Sequence, residues 1–587
     1  MTNFRKTNDL VNKKFLMLFA PTLLSSISLY MGAILSGILV GNLVSPEAMA
    51  SICACIPLNQ FIFSVALLIS VGAAGMVSIA SGKNEIDKAN YIFSNILILA
   101  FIFALLTIFL LNPFISEIAK ILSSAEELHR NIERYLSIFI IRTAILIVIT
   151  VWRYLIRTEG LAKIISISSI ISQVLNILLT VFLVGYLSLG VIGAGVALLV
   201  SDLVGGLYMF THYSFTKERN LKFINIFKFG MKKFFAQTIQ ILKSGVPAAT
   251  VTILAGLKVW IIFRILGDVG GANSVIFYSI CITGISIMNV LVSSCCDSSM
   301  AIVGMLYGEK DFLGIRMMLR FIQKFSFALV GIFVGLVCVF PEIILRVYNL
   351  PNDAIESGVV ALRIFAPSLL GTAFVVVMAN YYSTIQRRNV ATMLSLVEGI
   401  LVVIPAALIL SQIFGVNGVW ASFVLAEVAG FISVLIYTKK FYGEKKIQFS
   451  DILLIDETDT QTFYDVSTKA NAENAVKISA EAIEIVRGKN FSERDAVKVG
   501  VALEEFIVNV QQLAKNKMPN VDVIIKADEN QRVMIVLRDD GKAFNPLEYK
   551  PNDEENFYTD GIVLMKALSK KIQYNRVVGL NQTIIEI

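Results

Sequence analysis

Twelve apolar stretches of membrane-crossing length follow one another through the first 440 residues of this chain, and then they stop. A helix needs about 20 such residues to cross hydrocarbon, where each backbone N–H and C=O must find its partner within the protein. The stretches fall at roughly 16–40, 52–78, 91–112, 133–152, 163–186, 189–211, 243–267, 273–304, 322–345, 360–384, 393–413 and 416–438. With 56% hydrophobic and only 16% charged residues over 587 positions, the composition fits an integral membrane protein. Beyond residue 440 the chain takes on the patterning of a water-soluble domain.

Charge orients the spans. Before Asp451 there are 34 basic and 21 acidic residues; from there on there are 17 and 23. The basic excess gathers in alternate connections, at Lys83 and Lys88, at Arg153, Arg157 and Lys163, at Arg316, Arg320 and Lys324, at Arg387 and Arg388, and along 217–233. The connections between them, such as 185–190 and 415–418, carry almost no Lys or Arg. The positive-inside rule therefore puts both termini, and the tail, in the cytoplasm of a multi-pass protein of the cell (inner) membrane. The basic balance is a matter of topology, and no basic segment has stacking aromatics around it, so no nucleic-acid partner is expected. The six cysteines lie in apolar segments without zinc-site spacing and read as reduced, buried thiols.

The membrane half repeats. Gly72 to Asn84 closes the second span as Met300 to Lys310 closes the eighth, and Leu189-Gly-Val-Ile-Gly193 opens the sixth as Phe414-Gly-Val-Asn-Gly418 opens the twelfth. A 6+6 repeat is a transporter's architecture, with the substrate site near the midplane between the lobes. The expected fold is thus a membrane all-α body of twelve transmembrane helices in two six-helix bundles, lobes 1–225 and 226–440. A linker, 441–459, leads to a soluble domain, 460–587.

Those segments, with Pro21, Val40-Gly41, Pro46-Glu47-Ala48, Arg157-Thr-Glu-Gly160, Asn176 and Val416-Asn-Gly-Val-Trp420, resemble the MATE (multidrug and toxin extrusion) family. The resemblance implies a V-shaped pair of bundles that exports a bulky, often cationic, organic molecule in exchange for Na⁺ or H⁺. This chain departs from it at Ser36 and Thr180, where many relatives carry carboxylates.

Ionisable groups inside a membrane are costly and mark functional or paired positions. Arg142, Asp202, Lys258, Arg264, Asp297, Glu398 and Glu427 qualify. Asp297, set among Ser293, Ser294, Ser298 and Ser299, is the expected cavity carboxylate for an organic cation or a coupling ion. Lys258 in the preceding span is its expected partner, in the transport cavity or in a purely structural ion pair. Asp202 and Glu427 occupy matching places in the two repeats and suit hydrogen bonding to neighbouring helices.

In the tail, strand-like alternation at Gln461–Val466, helical spacing at Ala470–Val486 and a capped helix from Ser492 to about Lys515 precede two strands, Val521–Lys526 and Arg532–Arg538. A helix at 561–570 and strands at 572–578 and 582–587 complete an α/β sandwich. Glu505 and Asn509, four apart on one helix face, suit a general base and a Mg²⁺ ligand. Asp539 ends a strand where it can accept from an adenine amino group, and Gly541 lets the backbone pass close to the base. Asn545–Asp560 is long enough for a lid, and Gly561 opens the next helix with N–H groups suited to phosphate.

In this order the set resembles the histidine-kinase-like (GHKL, Bergerat-fold) ATPases, closest to the anti-sigma-factor serine kinases. The resemblance assigns catalysis to Glu505 and Mg²⁺ to Asn509. It assigns ATP contacts to Asn509, Asp539, Gly541, Phe544 and Gly561. Gly561-Ile562-Val563 departs from the family's Gly-x-Gly, and Leu513 stands where many relatives have histidine. The expectation is a cation-coupled exporter with a regulatory ATP-binding tail. The alternative is a membrane-anchored signalling protein whose tail phosphorylates or binds a cytoplasmic protein partner. No Walker A sequence is present to drive transport directly.

Overall fold

The computed structural model describes residues 6–587 except 8, 45–47, 49–50, 53, 123–125, 217–218, 227–229, 348–351, 443–448, 456–460, 490, 515–517, 528–531 and 550–559. Pro46 and Glu47, the turn Asp528–Asn530 and the body of the expected lid lie outside the described residues, as does the side chain of Ser36. Among the described residues, twelve helices are long and apolar enough to cross a membrane. They are Asp9–Ser28, Ile56–Gly82, Ile86–Leu122, His129–Thr158, Ala162–Tyr186, Gly190–Phe215, Met231–Gly271, Ile280–Gly308, Phe312–Val339, Ile355–Thr384, Arg388–Phe414 and Val416–Tyr442.

The two lobes meet where spans two, seven and eight run side by side, and small residues make that approach possible. A Cβ on Gly245 would sit 1.6 Å from the Leu68 carbonyl oxygen, and one on Gly72 would sit 2.2 Å from that of Ile241. At the ends nearest the tail, a Cβ on Gly82 would meet the Met305 oxygen at 2.2 Å, and one on Gly308 the Ile79 oxygen at 2.3 Å. Backbones this close are the membrane's substitute for a hydrophobic driving force between helices. The repeat seen in the sequence is also conformational: the turns after Gly82 and Gly308 carry left-handed residues at matching places, Asn84 at φ 58 and Lys310 at φ 59.

The Arg157-Thr-Glu-Gly160 segment ties three parts together. Glu159 accepts from the backbone N–H of Asn220 and Leu221 and from the Tyr213 hydroxyl, which pins the inter-lobe connection. Burial raises its carboxyl to about 7, against the pull of those hydrogen bonds. Gly160 (φ +81) turns the chain beneath the tail, where a Cβ would meet the Val578 backbone at 2.6 Å.

The tail is a five-stranded antiparallel sheet with helices on one face. Its strands are β1 (Gln461–Lys469), β2 (Asn520–Ala527), β3 (Val533–Asp539), β4 (Lys571–Val577) and β5 (Leu580–Glu586), in the order β1-β2-β3-β5-β4. Helices α1 (Ala472–Arg487), capped by Asn471, α2 (Glu493–Leu513), capped by Ser492, and α3 (Asp560–Leu568) provide the second layer. Val521, Val523, Ile525, Ile535, Leu537 and Ile585 face the helices and form the core with Ile478, Val499, Leu503 and Ile507.

The other sheet face is also buried. Asp522, Ile524, Val536, Arg538 and Gln582 are at most 3% exposed. A sheet with helices on one side ordinarily leaves the other to water; here the membrane body covers it. The segment leading into the tail is held as well. Tyr381 and Tyr442 donate to the carbonyls of Leu453 and Ile455 at 2.9 and 2.8 Å, and Tyr382 donates to that of Ile452.

Candidate functional site

The tail's pocket lies between α2, the end of β3, β5 and the start of α3. Glu505 and Asn509 enter from one face of α2, Asp539 and Gly541 from the β3 terminus, Phe544 and Pro546 from the segment after it, and Gly561 from the first turn of α3. The residues singled out in the tail's sequence therefore surround one space. Asn581 and Thr583, which sequence reasoning missed, line it from β5. Asn581 is paired with Asp539 across the ladder and donates to its Oδ1 at 2.8 Å and to the Lys542 carbonyl at 2.8 Å. Gly541 N–H donates to the same Oδ1 at 2.8 Å.

Burial lifts the Asp539 carboxyl to about 6, against those two hydrogen bonds. Burial and the neighbouring Glu504 likewise push the Glu505 carboxyl upward. The space itself is tight, at about 30 Å³, on the order of one water. Gly561 closes it: a Cβ there would lie 2.1 Å from Glu505 Oε2. The side chains and backbone groups around it include the carboxylates of Glu505 and Asp539, the amides of Asn509 and Asn581, and the first turn of α3 at Gly561. Lys566 stitches the start of the expected lid to α3 by donating to the Leu547 and Tyr549 carbonyls at 3.3 and 3.2 Å. Val563 is 43% exposed and Leu513 lines the pocket.

In the membrane body, a cavity of about 190 Å³ lies between the lobes, walled by Tyr154 and Val71 on one side and Asp297, Asn380, Ser383 and Glu398 on the other. Asp297 lines this cavity, and its partner is Arg157 rather than the expected Lys258. Asp297 Oδ2 pairs with Arg157 at 2.8 Å, and its Oδ1 accepts from the Tyr154 hydroxyl at 3.3 Å. Arg157 also lies over the Tyr154 ring, 5.1 Å from its centroid. Lys258 instead donates to the Glu398 carbonyl at 3.5 Å and is not among the cavity's lining residues. The reason is geometric: Asp297 meets the Arg157 end of span four across the lobes, while span seven lines the same cavity with Pro247, Ala248, Val251 and Thr252 and carries Lys258 to the Glu398 backbone. The ion pair thus joins the two lobes. Asp202 pairs with Arg142 at 2.9 Å, and Glu427 accepts from Thr372 at 2.6 Å, each within its own lobe.

Comparison with known proteins agrees with both halves. The MatE family model matches residues 21–182 and 247–409, and the histidine kinase-like ATPase domain model matches residues 468–587. The chain is similar to the multidrug export protein MepA of Staphylococcus haemolyticus, at 25% identity over 431 residues, covering 71% of this chain and 91% of MepA. Similarity to MepA of Staphylococcus aureus (strain MSSA476) is 21% over 411 residues, covering 69% and 89%. In fold, the chain is similar to an outward-facing multidrug resistance MATE transporter (TM-score 0.67, 18% identity, 73% and 95% covered). It is equally similar to a transporter of the MOP superfamily from Pyrococcus furiosus (TM-score 0.67, 20% identity, 74% and 97% covered).

Proposed function

The chain belongs to the MatE family and ends in a histidine kinase-like ATPase domain, and from that premise we propose that it is a cation-coupled exporter of bulky organic molecules whose cytoplasmic tail binds nucleotide and regulates transport. The observation that carries the export reading is the Arg157–Asp297 pair on the wall of the inter-lobe cavity. An organic cation, Na⁺ or H⁺ at Asp297 competes with Arg157 for the same carboxylate. Its arrival loosens a contact between lobes, and its departure restores that contact. This gives the differential interaction with two states that alternating access needs. The names of the staphylococcal relatives support a drug-like substrate, and the basic loops clustered on the tail's side support a cytoplasmic tail.

In the tail, Asp539 would accept from the adenine amino group, with Asn581 holding that carboxylate in place. Asn509 would hold Mg²⁺, and the N–H groups at Gly561 would meet phosphate. Bound Mg·ATP would bring a polyanion whose charge these groups answer. Glu505, with its proton affinity raised by burial, would take a proton from an incoming hydroxyl or water. Export is tested in proteoliposomes loaded with a fluorescent lipophilic cation under an imposed Na⁺ or H⁺ gradient. Wild-type protein should release the dye and Asp297→Asn should not; equal release by the two would remove Asp297 from the mechanism.

A further inference from the structure

The turns that end spans two and eight are counterparts in the repeat, and the tail grips both. On the first lobe, the Ser81 carbonyl accepts from Asn575 at 3.2 Å, the Gly82 carbonyl accepts from Gln582 at 2.9 Å, and Asn220 donates to the Arg576 carbonyl. On the second lobe, Lys526 donates to the Glu309 carbonyl at 2.6 Å, and Arg538 pairs with Glu309 at 3.1 Å and with Asp311. The seam between lobes runs under β5. Gln582 Nε2 donates at once to Gly82 of one lobe and to Glu309 Oε1 of the other, at 2.9 and 2.6 Å.

The N-terminal segment enters the same cluster. Lys6 reaches Asp465 at 2.7 Å, Asp311 at 3.4 Å and Asp522 at 3.6 Å, while Arg538 reaches Asp522 at 3.2 Å. Every one of these side chains is at most 10% exposed. A charged network this deep is held by its mutual pairing, because separating one partner leaves the others buried and uncompensated.

We propose that the tail is a clamp: it bridges the counterpart turns of the two lobes and holds the tail-side ends of spans two and eight together, so that opening on that side requires the tail to release one lobe. Deepening the transporter reading above, the proposal rests on it for the existence of a second, tail-side-open state. The structural reason is reach. Gly82 packs on Met305 and Gly308 on Ile79 with no room for a methyl group. Rocking of one lobe on the other separates those pairs, and one glutamine amide cannot follow both carbonyl and carboxylate. The clamp is also built into the nucleotide pocket. Strand alternation puts Arg538 and Gln582, opposite each other in register, on the docking face, while the next pair, Asp539 and Asn581, faces the pocket.

Amide hydrogen exchange on the full-length protein in detergent or nanodiscs tests this, with Asp311→Asn and Gln582→Ala as variants. Asn can still cap span nine, where Asp311 accepts from Gly314 N–H at 2.7 Å, but it loses the charge facing Lys6 and Arg538. Both variants should speed exchange about tenfold or more in 79–86 and in 305–314 together, with α2 and β2 of the tail still protected as the sign of an intact domain. Faster exchange confined to 305–314 in both variants, or unchanged exchange in both turns, would overturn the clamp. Dye release is followed on the same samples. Its absence in the wild type, with both turns still responding, would count against the exporter reading and leave the bridging contact standing.

Discussion

Three side chains bear most of the chemistry, and each makes a separate prediction. Arg538 is fully buried between Glu309, Asp311 and Asp522, which together raise its already high proton affinity against the cost of burial. Removing one partner of a buried charge network typically costs about 3–5 kcal/mol, because the remaining charges are left unpaired. Arg538→Ala should therefore lower the unfolding midpoint of the tail in a thermal or denaturant melt by an amount matching that loss; a change under about 1 kcal/mol would show that the cluster is hydrated and weak.

Asp539 predicts a pH dependence. Its carboxyl is raised to about 6 by burial, so the nucleotide-free pocket holds the carboxylate above that pH and the protonated form below it, and the carboxylate is the stronger acceptor for an adenine amino group. Mg·ATP affinity should be constant above about pH 7 and fall toward tenfold per unit below 6. Calorimetric titration from pH 5 to 8 checks this, and Asp539→Asn should flatten the profile while weakening binding. Asp297 is the third. Releasing it from Arg157 by Asp297→Asn removes both the substrate-side carboxylate and an inter-lobe contact, so gradient-driven dye release should drop to background.

At the level of elements, close packing explains what the sequence disclosed and what it withheld. Span positions, the repeat, the capped α2 and the strand order of residues around the pocket follow from hydrophobic period and cap chemistry, which are local. Asn581 and Thr583 were not legible because their place depends on β5 pairing with β3 across an intervening helix and strand, a long-range register. Lys258 was a reasonable partner for Asp297 by proximity in sequence, yet which spans face each other across the lobes is set by packing that no local pattern records. The docking face was not legible either: Asp522, Lys526 and Arg538 alternate with apolar neighbours as a wetted strand face does, and alternation cannot distinguish water from a second charged surface. The glycine contacts carry their own test. Gly82→Ala puts a methyl group where the Met305 carbonyl stands, at 2.2 Å, and this overpacking of about 1–3 kcal/mol falls on the closed tail-side contact alone. The variant should favour the tail-side-open state, seen as faster exchange in 305–308; unchanged protection there would mean that spans two and eight close without needing that glycine.

At the scale of the whole molecule, an apolar body of MatE type and an ATPase-like domain keep separate cores but meet in a shared apolar contact. Val577, Val578 and Leu580 of the tail and Ile452, Leu454 and Ile455 of the segment leading to it pack into the same core as span eight. On the proposed reading a domain so placed responds to the arrangement of the lobes, and by reciprocity a ligand of the domain would bias that arrangement. With no Walker A sequence in the chain, the proposed driving force is the ion gradient and the proposed role of nucleotide is modulation. The most direct measurement is dye transport by proteoliposomes holding the full-length protein, with gradient and tail-side Mg·ATP varied independently. A gradient-driven exporter with a regulatory tail transports under a gradient without nucleotide, changes rate when Mg·ATP is added, and shows no transport with Mg·ATP alone. Sustained transport with Mg·ATP and no gradient would contradict it.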